Sequence, residues 1–245
     1  MTYTSALILG DSITIDLYPA NDYALRFARA PLSSRLGAGS ILFRNNNAVF
    51  PHFAGRDLAT EFGIAPEKFL NLSVDGAVPT DVLYDQLPRV SPSEDRTFAA
   101  VTAGGNSLLQ MLHTESNPDP DDPRVDDTVE ELREVIRAVK RVRPNGVIAL
   151  GTVYDPTDGT WQLPANYGPS GRLEAQAHWL NRLNDAIRRI AREESVALVD
   201  IHDHFQGHGW MKEESWYYAP APFEPNLDGA SEVRRLFLDA AIAAA

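Results

Sequence analysis

The sequence predicts an α/β fold, a three-layer α/β/α sandwich built on a central parallel sheet of about five strands. Short apolar runs at Ala6–Leu9, Phe69–Leu72, Phe98–Thr102, Val147–Leu150 and Val196–Val199 read as strands buried on both faces. The segments between them carry apolar residues at helical spacing, the alternation expected of a parallel sheet covered on both sides. A chain of 245 residues with 44% hydrophobic content can bury one sizeable core, so residues 1–245 are expected to form a single domain.

Taken in order, the first strand runs into Gly10-Asp11-Ser12. A glycine there lets the backbone turn sharply and lifts a serine hydroxyl off the carboxyl end of a buried strand, where ligands of such sheets gather. Asp11 and Ser12 equally suit the N-cap of a helix. The second run leads into Asn71-Leu72-Ser73-Val74-Asp75-Gly76, and the third into Thr102-Ala103-Gly104-Gly105-Asn106. Before the fourth run, Val129, Leu132, Val135, Ile136, Val139 and Val142 recur at three- and four-residue steps with charged residues between them, a helix ending at Arg143 before Pro144-Asn145-Gly146. Leu173, Ala177, Leu180, Leu183, Ile187 and Ile190 mark a second long amphipathic helix, and Val233, Leu236, Phe237 and Ala240 a third. Asn117–Pro123 reads as a surface loop and helix start. Two connections, Asp155–Gly171 and His208–Pro225, are long enough to carry function. The second holds Trp216-Tyr217-Tyr218, which either stack on a sugar or cover the core.

A formal charge of −12 and a pI near 4.9 argue against nucleic acid or an anionic membrane as partner, because phosphate-binding surfaces need clustered Lys and Arg. The absence of cysteine excludes disulfides, thiolate metal sites and cysteine nucleophiles. Met1-Thr2-Tyr3-Thr4 has no basic stretch and leads straight into the first strand, so neither a secretory signal nor a membrane span is visible and a cytoplasmic location is expected. Oligomeric state is not legible.

Ser12, Gly76 and Asn106 follow three successive strands, and their blocks together resemble the SGNH, or GDSL-type, hydrolases. The resemblance implies a flavodoxin-like SGNH hydrolase fold over essentially the whole chain. It also implies a serine nucleophile from the first block and oxyanion donors from the Ser12 N–H, the Gly76 N–H and the Asn106 side-chain amide. Asp11 and Gly105, beside the serine and the asparagine, become candidates for substrate contact. The family's fourth block, D-x-x-H-P-N-x-x-G, aligns with Ala221-Pro222-Phe223-Glu224-Pro225-Asn226-Leu227-Asp228-Gly229. Glu224 therefore stands where the histidine is expected, and Ala221 where its aspartate is expected.

Acyl transfer needs a base for the nucleophile's proton, and a glutamate near its reference pKa of ~4.3 is a poor one. Burial beside Phe223 without an aspartate partner would raise the pKa of Glu224 and make it usable. Alternatively Glu224 is an N-terminal helix residue or a partner of Arg234 or Arg235, and a displaced histidine serves. Asp200-Ile201-His202-Asp203-His204 and His208 lie near the carboxyl edge of the sheet. The same His-x-His stretch with its aspartates also has the composition of a metal site. His113 and His178 fall on predicted helices, and His52 in a loop.

The expected function is therefore hydrolysis of a small-molecule ester, with no cofactor and no metal. The alternative is a protein that keeps the pocket and binds an ester or carbohydrate without turnover. A nucleotide-binding domain fits poorly, because neither G-x-x-x-x-G-K-[ST] nor G-x-G-x-x-G occurs.

Overall fold

The apolar runs pair in the computed structural model, which describes residues 2–27, 35–114, 119–162 and 174–245. Strands β1 (Ser5–Gly10), β2 (Phe69–Asn71), β3 (Thr97–Thr102), β4 (Val147–Gly151) and β5 (Ala197–Val199) form one parallel sheet in the order β2-β1-β3-β4-β5. From β1 the chain steps outward to β2 and then crosses back to β3. The carboxyl ends of β1 and β3 thus flank a topological switch point, where sheets of this kind open a crevice.

Helices α1 (Leu17–Phe27), α2 (Ala38–Phe43), α3 (Leu58–Phe62), α4 (Pro79–Asp81), α5 (Gly105–Thr114), α6 (Arg124–Val142), α7 (Glu174–Glu193), α8 (Ile201–Phe205) and α9 (Leu227–Ala243) surround the sheet, with short 3-10 turns and one π-helical turn at Val82–Gln86. The two-residue period of the strands divides the core. Leu7, Leu9, Ala99, Val101, Ile148 and Leu150 face α6 and α7. Ala6, Ile8, Phe98, Ala100 and Ala149 face α2, α3, α8 and α9. The three layers are those the alternation of elements predicts.

Element ends follow local chemistry. Helix α6 begins at Arg124, before its apolar repeat, because Asp126 and Asp127 sit in its first turn and Lys140 and Arg141 in its last, both favourable to the helix dipole. Helix α9 likewise begins before the repeat that starts at Val233, at Leu227, where the Asn226 side chain accepts the Gly229 N–H at 2.9 Å.

One expected loop is ordered otherwise. Within His208–Pro225, β6 (Tyr217–Tyr218) and β7 (Ala221–Pro225) pair antiparallel as a separate ribbon. Its aromatic residues turn inward: Tyr217 packs edge-on against Tyr154, and Trp216 stacks on His208. Packing thus accounts for Trp216 and Tyr217. Asp155–Gln162, the first part of the other long connection, is a series of turns, while the rest of that connection to Gly171, together with Leu173, Asn117 and Pro118, lies outside the described residues. Among the described residues no helix is long and apolar enough to cross a membrane.

Candidate active site

Ser12 opens a 3-10 turn, Ser12–Thr14, directly beyond β1, and is only 5% exposed. The turn is possible because residue 10 is glycine. Its φ is +133°, and a Cβ there would lie 1.8 Å from the Thr102 carbonyl oxygen on the neighbouring strand. Buried Gln86 clamps both peptide units that flank the Gly10 Cα: its amide donates to the Gly10 carbonyl at 2.8 Å and accepts the Gly10 N–H at 2.9 Å. Asp11 caps the turn by accepting the Ile13 N–H at 3.2 Å and the Thr102 hydroxyl at 2.9 Å. Asp11 is therefore both the cap and a buried carboxyl, and burial outweighs these bonds to push its pKa up to about 7.

Glu224 reaches the same place from β7. It is neither a helix residue nor a partner of the arginines. Arg234 bonds Asn45 at 2.8 Å and Ser231 at 2.7 Å, and Arg235 bonds Glu232 at 2.7 Å. Burial raises the Glu224 pKa to about 8; the Ser12 hydroxyl, donating toward its carboxyl, lowers it, and the charges of Asp11 and Asp75 raise it further. Its Oε2 is buried with no hydrogen-bond partner. The neighbouring peptide is pinned, because the Tyr154 hydroxyl donates to the Phe223 carbonyl at 2.7 Å.

The second and third sequence blocks converge on this point. The Val74 N–H donates to the Gly10 carbonyl at 3.1 Å and the Thr14 hydroxyl to Ser73 at 2.7 Å, holding the second block against the first. Asn106, in the first turn of α5, donates from Nδ2 to the Ala77 carbonyl at 3.1 Å, tying the third block to the second. Gly76 adopts φ +74° in an exposed turn. Asp11, Ser12, Gly105, Asn106 and Glu224 all line one cavity of about 100 Å³, and Gly76 stands off its wall.

The histidines are elsewhere. None of the six lines this cavity. His204 Nε2 meets Glu232 at 2.7 Å, His202 Nδ1 meets Asp203 at 3.2 Å, and His208 Nδ1 meets the Glu214 carbonyl at 3.0 Å. His113 and His178 lie on α5 and α7, and His52 in the 3-10 turn Pro51–Phe53. Asp200, His202 and Asp203 are close enough to share a cation. Arg188 already spans both carboxylates, at 2.9 and 3.1 Å from Asp200 and 3.1 Å from Asp203. Burial opposes ionisation of Asp200, yet Arg188 and Thr152 hold its pKa below the ordinary value.

Sequence reasoning missed Gln86, Tyr154 and Trp161. Gln86 acts through two bonds to the Gly10 backbone and Tyr154 through one to the Phe223 carbonyl, contacts distant in sequence that no local pattern announces. Trp161 lines the cavity with a left-handed backbone, φ +53°, a conformation that a tryptophan in the sequence does not signal.

Residues 8–230 match the profile of the GDSL-like lipase/acylhydrolase family. Among solved structures, a phospholipase A1 from Streptomyces albidoflavus is 18% identical, with 99% of this chain and 100% of that one covered and a TM-score of 0.62. An extracellular lipase from Streptomyces rimosus is 16% identical, with 99% and 100% covered and a TM-score of 0.61. An acetylxylan esterase from Geobacillus stearothermophilus is 15% identical, with 98% and 96% covered and a TM-score of 0.60. No curated protein is similar in sequence at a significant level.

Proposed function

The chain belongs to the GDSL-like lipase/acylhydrolase family, and from that premise we propose that it is a single-domain serine ester hydrolase whose general base is Glu224. The observation that carries the reading is the Glu224 carboxyl lining the same cavity as Ser12, where burial raises its pKa to about 8. A carboxyl tuned this way accepts a proton near neutral pH, and a buried site favours the neutral acid it becomes.

In this reading Ser12 Oγ attacks the ester carbonyl as its proton passes to Glu224. The oxyanion is met by the Ser12 N–H and the Asn106 amide, which has a second N–H beside the one given to Ala77, with the Gly76 N–H as third donor. Collapse expels the alcohol, which takes the proton back from Glu224. A water then loses its proton to Glu224, attacks the acyl-serine and frees the acid, and Ser12 recovers the proton. Asp11 fixes the turn, and Gly105 opens α5 beside the substrate.

The test is the intact mass of the protein after treatment with a fluorophosphonate, for the native chain, Ser12→Ala and Glu224→Gln. A Ser12-dependent adduct that forms more slowly in Glu224→Gln supports the reading. A second reading, ligand binding without turnover, draws on Glu224 and Ala221 at the positions of the family's histidine and aspartate. Absence of an adduct, together with binding of an ester, would favour it.

A further inference from the structure

The cavity beside Ser12 is chemically lopsided. Leu108 and Leu112 from α5, Val153 after β4, Leu180 from α7 and Phe223 next to Glu224 give it an apolar lining. On the other side of the site the polar groups face outward: Asp75 is exposed and accepts the Tyr18 hydroxyl at 3.0 Å. An ester has one end that is only hydrocarbon and one that leaves as an alcohol. The apolar chamber suits the first and the polar rim the second.

A separate observation concerns Trp161. A tryptophan at φ +53° is strained, and such strain persists only where surrounding bonds enforce it. Here they do. The Trp161 N–H donates to Thr157 Oγ1 at 3.0 Å, the Thr157 hydroxyl to Asp155 Oδ1 at 2.7 Å, and the Gly159 N–H to Asp155 Oδ2 at 2.7 Å. This network holds the indole on the cavity wall.

Resting on the reading of Ser12 as nucleophile, we infer that this cavity is the acyl subsite, that it takes a short unbranched chain, and that Trp161 and Leu112 limit its length. The volume sets the size. A cavity of ~150 Å³ holds a benzene ring, so one of about 100 Å³ holds a chain of about four carbons.

The experiment is kcat/KM for p-nitrophenyl esters from acetate to decanoate, paired with butanoates of increasing alcohol length. A rise of about fourfold per methylene up to butanoate is expected, then a fall of tenfold or more by decanoate, with little dependence on the alcohol. Leu112→Ala shifts the optimum to longer acids, and Trp161→Ala, at a less buried position, does so if the first variant fails to fold. Selectivity for alcohol length, no acyl-length selectivity, or an optimum unmoved by a folded variant overturns the inference and leaves the hydrolase reading intact. Equilibrium binding to Ser12→Ala, followed by tryptophan fluorescence, separates the two in the other direction. Tighter binding of methyl butanoate than of methyl decanoate, alongside a native chain that forms no adduct, upholds the cavity and removes the hydrolase.

Discussion

Ser12 and Glu224 line one cavity, where the serine hydroxyl steadies the Glu224 carboxylate while Glu224 Oε2 is buried without a hydrogen-bond partner. A base in this setting works only once ionised. The rate of ester turnover should therefore rise with pH through a midpoint near 8, in a single limb. Glu224→Gln should be slower by roughly a hundredfold or more and lose that limb. A pH–rate profile of both proteins checks this, and a midpoint near ~6.5 would point to a histidine instead.

The same carboxyls govern stability. Glu224 and Asp11 have folded-state pKa values of about 8 and about 7 against ordinary values of 4.5 and 3.8, so the folded chain keeps protons that the unfolded chain releases. Their contribution is complete below the ordinary values and is lost as pH rises through 7 and 8. Glu224→Gln should match the native chain in acid and exceed it by a few kcal/mol at about pH 9. Urea unfolding at both pH values measures the difference; a gap that widens toward acid would contradict the assignment.

Gln86 holds the peptide that precedes Asp11 and Ser12. Gln86→Met keeps the volume and removes both bonds, leaving the Gly10 N–H without its amide partner and the Gly10 carbonyl with the Val74 N–H alone, at a cost of about 2 kcal/mol. The turn loosens with it, so kcat should fall by about tenfold with little change in KM. Steady-state kinetics on the folded variant decide whether the clamp positions the serine or only supports the core.

With Glu224 as the base, the histidines near the sheet edge should be dispensable for turnover. His204→Ala loses its pairing with Glu232 and should cost about 1 kcal/mol, with ester turnover within about twofold of native. His208→Ala loses its stacking on Trp216 and should behave alike. Abolished turnover in either folded variant would remove Glu224 from its assigned role.

The strands, the layers and the positions of Ser12 and Asn106 were legible because they depend on local alternation and on turns that follow strand ends. Glu224 was legible only as a departure, since its burial depends on the β6–β7 ribbon and on Tyr154, both brought to it by the folded chain. The surroundings of the His-x-His stretch were hidden for the same reason. Its residues share a short helix, yet His202 and His204 turn to different partners, Asp203 and Glu232. Gln86 was invisible because its side chain answers a backbone group across the core, and glutamine has no pattern that reports such a role.

Ser12 follows the first strand of the sheet, and Glu224 sits on the last strand before the final helix. Every other strand is made between them. During synthesis on the ribosome, the serine emerges long before the group that would activate it, and no shorter nascent chain holds both. With Ser12 as nucleophile, activation therefore waits until nearly the whole chain has been made and the crevice that contains it can form.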